Sequence, residues 1–428
     1  MSDFSVTEAQ ASILSHLIRS EVEQVALHDS LGRVLAEDVS ANRNHPPYDV
    51  SAMDGYAVTF ADIASACSDK PVLLSVVDDI RAGQMPNIKI QQGQAARIMT
   101  GAPTPSGIDT VIRVEDTVLN GDQVSILTPP KQGANIRPLG ENLKNGHVVL
   151  TKGTEVTPGV LAILAMVKQK QVPVFARPTV AILSTGDELE GIDDPIDENK
   201  IPNANSHALY AQCKSLGIEA TLLGIAKDDP QDLRAKLARG LNYDLLLASG
   251  GVSVGHHDFV RPMLDELGIT FHFWRVAMRP GHPLAFGTVK GREGKNDTVV
   301  FGLPGNPVAS MVCFEQFVAP ALRAIMGHEK LFRRTIRARL QHDVKGSGGR
   351  TLFNRVFLSS DEQGYVASST GAQGSGVLMS MALAEGFMVV PAEAELLKAG
   401  EMVTVQLLQG MDFQAEAALN QVQLKDCK

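Results

Sequence analysis

The sequence predicts a multidomain α/β and β protein: a doubly wound, mostly parallel α/β domain, small β domains and a helical or extended region. Three observations carry this. The chain has 428 residues with 44% hydrophobic and 20% charged side chains, enough to bury several cores, and its length suggests about three domains. From Pro178 to Met326 strand-like and helix-like segments alternate, the pattern of a parallel sheet wrapped by helices. From Asn44 to Asn142, and again after Leu331, short β-rich runs alternate with Gly, Pro and Asp turns.

Taken in order, Ser5-Val6-Thr7-Glu8 has the form of a capping box, and Ile13, Leu14, Leu17 and Ile18 then fall on one helical stripe. The chain therefore opens with an amphipathic helix, suited to packing or dimerisation. Strands are expected at Val72 to Val77, Ala95 to Met99 and Val124 to Leu127. Two loops stand out in this β-rich region, PPYDVSAMDGYAV around Asp54 and RIMTGAPTP around Thr100. By residue type alone, Asp54-Gly55 is a hairpin-turn signal and Thr100-Gly101 a loop. The polar stretch IRPLGENLKNG (136–146) leads into an apolar run, Val156 to Val172, that reads as a helix.

In the alternating region, strands are expected at Val180 to Leu183, Ala220 to Ile225, Leu245 to Leu247, Ile269 to Val276, Leu284 to Val289 and Val299 to Phe301. Helices are expected near Ser206 to Leu216, Pro230 to Arg239 and Phe259 to Leu267, with the last starting at about Pro307. The run Leu245-Leu246-Leu247 suits a strand buried on both faces. It feeds the glycine-rich loop SGGVSVGHHD, where Gly250, Gly251, Ser253 and Gly255 let the backbone turn sharply and offer N–H groups to a phosphate. After Leu331 a small β domain follows, with a polar loop TGAQGSG (370–376) and a tail from Asp412 without strong signal.

Composition narrows the function. A formal charge of −9 argues against bulk nucleic-acid binding, so an anionic ligand needs a local cluster of Arg, Lys and backbone N–H groups. Cys67, Cys213, Cys313 and Cys427 are scattered without a C-x-x-C pair, which fits a reducing cytoplasm and gives neither a disulfide framework nor a zinc site. The longest uninterrupted apolar stretch, near Val160 to Val167, falls short of a membrane span, and Asp3 and Glu8 do not suit a signal peptide.

Chemistry collects in five loops that leave strand ends: STGDELE (184–190), KDDP (227–230), the glycine loop, RPGHP (279–283) and LPGNPVAS (303–310). In a doubly wound sheet ligands bind outside the carboxyl ends of the strands. The loops offer acidic groups (Asp187, Glu188, Asp228, Asp258), basic groups (Arg275, Arg279, His282) and the helix start at Pro307. Such a set suits an oxyanion held beside a divalent cation, the carboxylates taking Mg²⁺ and the Arg side chains and helix N-terminus the anion. The adjacent His256 and His257 lack further ligands at zinc spacing, and neither Ser249 nor Ser253 sits in a nucleophile elbow.

The strings PPYDVSAMDGYAV, RIMTGAP, STGDEL, SGGVSVGHHD, RPGHPLAFG, GLPGNPVAS and TGAQGSG, in this order along nearly the whole chain, resemble those of the molybdopterin molybdenumtransferases, the family that includes the gephyrin E domain. The resemblance implies an elongated homodimer of four-domain subunits. Residues 1–43 and 143–177 would form the dimerisation domain, 44–142 an inserted small β domain, 178–326 the molybdopterin-binding α/β domain and 327–428 a C-terminal β domain with tail. The site would lie between the α/β domain of one subunit and the small β domain of the other. Adenylylated molybdopterin and molybdate would bind there with Mg²⁺, and AMP would leave as molybdenum joins the dithiolene.

Carried over by position, Asp54, Thr100, Glu188, Asp228 and Asp258 would be catalytic, with Glu188, Asp228 and Asp258 around the metal. The glycine loop, Arg275, Arg279, Pro304, Asn306, Pro307, Arg350 and Ser375 would hold the pterin nucleotide and the oxyanion. This chain departs from the family in having Asn142 for an Asp, and Arg275, Arg279 and His282 for lysines. Arg keeps the charge in a planar fork, and His is mostly neutral near pH 7. Two other roles remain open at this point: a non-catalytic or weakened cofactor-binding scaffold, and a molybdopterin adenylyltransferase. A separate adenylyltransferase partner is possible, whereas nucleic-acid and membrane partners are not expected.

Overall fold

The computed structural model describes residues 3–227, 229–251, 260–291 and 296–408. They form two compact units. One takes Val25–Leu31 and Glu37–Val172, and the other takes the rest of the described chain.

The first unit is built on a six-stranded sheet of β1 (Gly55–Val58), β2 (Val72–Ile80), β3 (Gln94–Ile98), β4 (Thr110–Arg113), β5 (Thr117–Asn120) and β6 (Gln123–Ile126). The order is β4–β1–β3–β2–β6–β5, antiparallel except for the β2–β3 pair. Alternation places Tyr56 and Val58 of β1 in one core with Ile112 and Val124, and Ala57 in a second with Ile98 and Val111. The sheet is therefore covered on both faces at its centre. The apolar run after Val156 is not one helix. A helix spans Pro158–Met166, capped by Thr157, then Lys168 adopts φ 57° and a strand begins at Gln171. A residue in the left-handed region ends a helix whatever its hydrophobicity.

The second unit opens with α1 (Val6–Ser15), whose capping box is formed as expected: Ser5 Oγ accepts from Glu8 N–H, and Glu8 Oε2 accepts from Ser5 N–H at 2.8 Å. Its centre is a sheet of β7 (Val180–Thr185), β8 (Ala220–Ala226), β9 (Leu245–Ser249), β10 (Thr270–Arg275), β12 (Pro283–Val289) and β13 (Thr298–Leu303). The order is β8–β7–β9–β13–β12–β10; the first four are parallel and the last two antiparallel.

Helices α2 (Ala204–Ser215), α3 (Pro230–Gly240), α4 (Val260–Glu266) and α5 (Pro307–Ile325) wrap this sheet. Val180, Ile182, Leu245, Leu247, Val299 and Phe301 share a core with Ala9 and Ile13 of α1, Leu209 of α2 and Phe314 of α5. Ala181, Leu183, Leu246 and Val300 face the other way, onto Leu233 and Leu237 of α3 and Leu264 of α4. That two-sided burial is why these strands read as unbroken apolar runs. Of the expected stripe, Ile13 is buried in this core and Leu17 packs partly against it, whereas α1 ends at Ser15 and Ile18 is exposed. Helix α5 is long and apolar enough to cross a membrane, yet it is buried, a core helix with a π turn at Phe314–Val318.

Beyond α5, β14 (Thr335–Leu340), β15 (Thr351–Asp361), β16 (Gly364–Ser369), β17 (Gly386–Val390) and β18 (Met402–Leu407) pair in the cycle β15–β16–β14–β18–β17–β15. The cycle closes a small barrel, which removes exposed edges. A short strand from the α/β region, β11 (Met278–Arg279), adds to it in parallel, Arg279 standing opposite Leu352.

Candidate functional site

The carboxyl ends of β7, β9 and β13 lie side by side, because Ser184 pairs with Ser249 and Ser249 with Leu303. Strand order reverses across β7, the topological switch at which such sheets bind ligands. The glycine loop starts here. Gly250 has φ +91°, donates its N–H to Leu303 O at 3.1 Å, and leaves no room for a side chain, since a Cβ would meet Thr185 O at 2.6 Å. Gly251 follows at φ +64°.

Asn205, at the start of α2, ties the edge together. Its Nδ2 donates to Ser249 Oγ and to Gly305 O, both at 2.7 Å. Beside it, Ser184, Asn203 and Ser206 form a buried hydroxyl–amide cluster, with Asn203 capping α2. Sequence reasoning missed these residues. The signal available was the string PNANS just before a predicted helix, where Asn and Ser are the expected caps. Glu188 is exposed on the next loop, and its carboxylate folds over Gly186 so closely that a Cβ there would lie 2.3 Å from Oε2.

Next to this edge lies a cleft of about 210 Å³. Arg279, Pro304, Asn306, Arg350 and Ser375 line it together with His282 and Gln373. Strand β11 places Arg279 there by pairing with β15, and Arg350 immediately precedes β15. Asn306 precedes α5 without capping it; its Nδ2 donates to Ser375 Oγ at 3.0 Å, while Val308 N–H donates to Ser375 O. Pro307 is the first residue of α5, where its missing N–H costs nothing.

Gln373, unmarked in the sequence, pins the TGAQGSG loop: it accepts from Arg355 N–H at 2.8 Å and donates to Arg355 O at 3.0 Å. Arg355 is buried, its guanidinium donating to Ser380 Oγ and to the Phe353 and Gly374 carbonyls, and burial pulls its pKa down to about 10. It lines an adjoining cavity of about 380 Å³ with Arg279 and Lys345. Arg275 ends β10, where its field helps hold the Asp3 carboxyl low. Of the expected basic residues, Arg279 and His282 of the RPGHP loop and Arg350 line the cleft, whereas Arg275 is not among its lining residues.

Asp228, Ser253, Gly255 and Asp258, with His256 and His257, lie outside the described residues. Among the described residues no three His, Cys, Asp or Glu side chains group closely enough to hold a metal ion.

In the other unit, Asp54 and Thr100 are in direct contact. Asp54 Oδ1 accepts from Thr100 N–H at 2.7 Å and from Thr100 Oγ1 at 2.8 Å. These two donors hold the exposed Asp54 carboxyl below the usual carboxylate range. Gly55 is what allows the loop to sit there, since a Cβ would meet Ile112 O at 1.7 Å. Asp54 is therefore more than a turn residue, being an oriented, ionised carboxylate at a strand end. Asn142 is exposed and donates its backbone N–H to His45 O at 3.0 Å.

A doubly wound α/β domain whose strand ends adjoin a cleft lined by Arg279, His282 and Arg350, followed by a small closed barrel, defines the architecture. Residues 4–167 match the family profile "MoeA N-terminal region (domain I and II)", residues 181–324 "Probable molybdopterin binding domain", and residues 337–408 "MoeA C-terminal region (domain IV)". A protein of Nostoc sp. named molybdopterin molybdenumtransferase is 37% identical over 403 residues, 92% of each chain. One of the same name from Bacillus subtilis is 37% identical over 408 residues, 94% of each chain. The crystal structure of a molybdopterin biosynthesis MoeA protein from Pyrococcus horikoshii OT3 superposes with a TM-score of 0.82 at 30% identity, covering 95% of this chain and all of that one. The chain belongs to the molybdopterin molybdenumtransferase family.

Proposed function

We propose that the protein is a molybdopterin molybdenumtransferase: it joins molybdenum from molybdate to the dithiolene of adenylylated molybdopterin, with release of AMP, in molybdenum cofactor biosynthesis. The observation that supports this best is the cleft where Arg279, His282, Arg350, Asn306 and Ser375 converge beside the strand ends of the α/β sheet. Guanidinium groups and amide and hydroxyl donors there suit a tetrahedral oxyanion. The glycine loop and the N-terminus of α5 suit the phosphates of the nucleotide.

Mg²⁺ would be held by Glu188, Asp228 and Asp258, whose oxygen donors fit a hard cation. Glu188, exposed on the loop that leaves β7, is consistent with that use. The bound cation would neutralise charge as the phosphoanhydride breaks. Asp54, kept ionised by Thr100, would orient the attacking water. In this reading the enzyme is a cytoplasmic homodimer, Asp54 and Thr100 reach the site from the second subunit, and a separate adenylyltransferase supplies the substrate. The domain boundaries at residues 43, 142, 177 and 326 belong to the same reading.

The test is AMP release from adenylylated molybdopterin with Mg²⁺ and molybdate, or tungstate in parallel. Turnover with formation of active cofactor is expected, and its absence with both oxyanions overturns the assignment. Asn142→Asp and His282→Lys bear on the family departures: a large gain of activity marks a weakened enzyme.

A further inference from the structure

His282 has a partner that no local pattern announces. Phe4 forms a parallel bridge with Val276, donating its N–H to Arg275 O at 3.1 Å and accepting from Ala277 N–H at 2.7 Å. Its ring stacks on Phe273 with centroids 5.1 Å apart. This clamp fixes the preceding residue, so that Asp3 Oδ2 lies 2.7 Å from His282 Nε2. His282 lines the cleft and Asp3 does not. The carboxylate is thus hydrogen-bonded to a cleft-lining residue without itself lining the cleft.

An ionised carboxylate only accepts hydrogen bonds, so Nε2 carries a proton and Nδ1 is the ring nitrogen left for other contacts. The Asp3 carboxyl is held low first by this hydrogen bond and further by the fields of His282, Arg275 and Arg350, which keeps it ionised. A lysine needs no such support, because an ammonium is a point charge with three donors on a flexible stem. An imidazole works only at a fixed ring orientation, and a carboxylate on one nitrogen supplies it.

We propose that Asp3 is a positioning residue for His282, fixing the tautomer and orientation of the imidazole that this chain places at the oxyanion cleft. The proposal rests on reading that cleft as the oxyanion site.

The test measures dissociation constants for molybdate and for tungstate by calorimetry on the full chain, with thermal unfolding alongside. Asp3→Ala is expected to weaken oxyanion binding about tenfold, the scale of a lost charge-assisted hydrogen bond, with little change in Tm. Asp3→Asn, which retains an acceptor for Nε2, should lose less. In a His282→Lys background the loss on Asp3→Ala should disappear, because nothing remains to be oriented. Equal losses in both backgrounds would mark a general structural effect and overturn the proposal. Tighter binding in Asp3→Ala would also overturn it, marking the carboxylate as a competitor. Arg350→Ala separates the two readings. If it leaves oxyanion binding intact, the cleft reading fails; if it abolishes binding while Asp3→Ala does nothing, the Asp3 assignment alone fails.

Discussion

Replacing Gly250 by alanine tests whether the strand-end loop owes its shape to one missing side chain. At φ +91° an L residue is strained by about 1–2 kcal/mol. The new Cβ would sit 2.6 Å from Thr185 O, against an ordinary C···O approach of about 3.3 Å, so one segment must retreat by about 0.7 Å. Thr185 is not free to retreat alone, since it is in register with Ala226, and Gly250 is tied to Leu303 O through its N–H. Overpacking of this kind costs about 1–3 kcal/mol. The sum, about 2–5 kcal/mol, lowers Tm by about 4–20 °C in a domain of this size. A displacement approaching 1 Å also lowers kcat/KM for AMP release about 100-fold. Gly305→Ala is the stability control, because its nearest contact is 3.7 Å away and its φ is not positive; its Tm should fall far less. A Gly250→Ala protein with unchanged Tm and undiminished AMP release would refute the reasoning.

The Asp54–Thr100 contact predicts a titration. Thr100→Val removes the hydroxyl donor, so the Asp54 carboxyl should titrate at higher pH, read by carboxyl-selective NMR. Because the folded value is depressed, the contact's contribution to stability is complete above the ordinary carboxylate range and is lost as pH falls through the folded value; the variant should lose it at higher pH. Thiol labelling reports the cores. Burial pushes the Cys213 thiol up to about 12 and the Cys313 thiol higher still, whereas Cys67 is exposed. With Cys427 replaced by serine, a thiol reagent should modify Cys67 in the folded protein and reach Cys213 and Cys313 only on unfolding. Rapid labelling of Cys313 in the native state would contradict its place in the core.

What the sequence made legible was whatever depends on neighbours along the chain. The capping box at Ser5 and Glu8 formed because its partners are three residues apart, and Leu245 to Leu247 read as a two-sided strand because each residue alternates between two cores. The strand-end loops were legible through their glycines. At Gly250 a Cβ would strike the Thr185 carbonyl, and Gly186 sits at φ +140°, where an L residue is strained, so the motif and the geometry are the same fact. Local pattern failed at 156–172, where apolarity alone could not reveal that Lys168 turns the chain between a helix and a strand.

The site was only half legible, for a related reason. Arg279, Arg350 and Ser375 could be named from motifs, but what brings them together is β11 crossing from the α/β region to pair with β15, and two-residue strands have no sequence signature. The Asp3–His282 contact joins residues 279 positions apart, and Arg355 is buried in a strand whose alternation says nothing about a charge inside. These three features share a consequence. The charge of the cleft and of the cavity beside it is set by long-range pairings: β11 delivers Arg279 to both, the barrel buries Arg355 at the second, and the Phe4 clamp delivers a carboxylate to His282 at the first. At Arg275, Arg279 and His282 this chain has planar cations and an imidazole, which need orienting groups around them. Substituting His282 alone therefore changes less than the chemistry suggests unless Asp3 is considered with it, and the two positions should be varied as a pair.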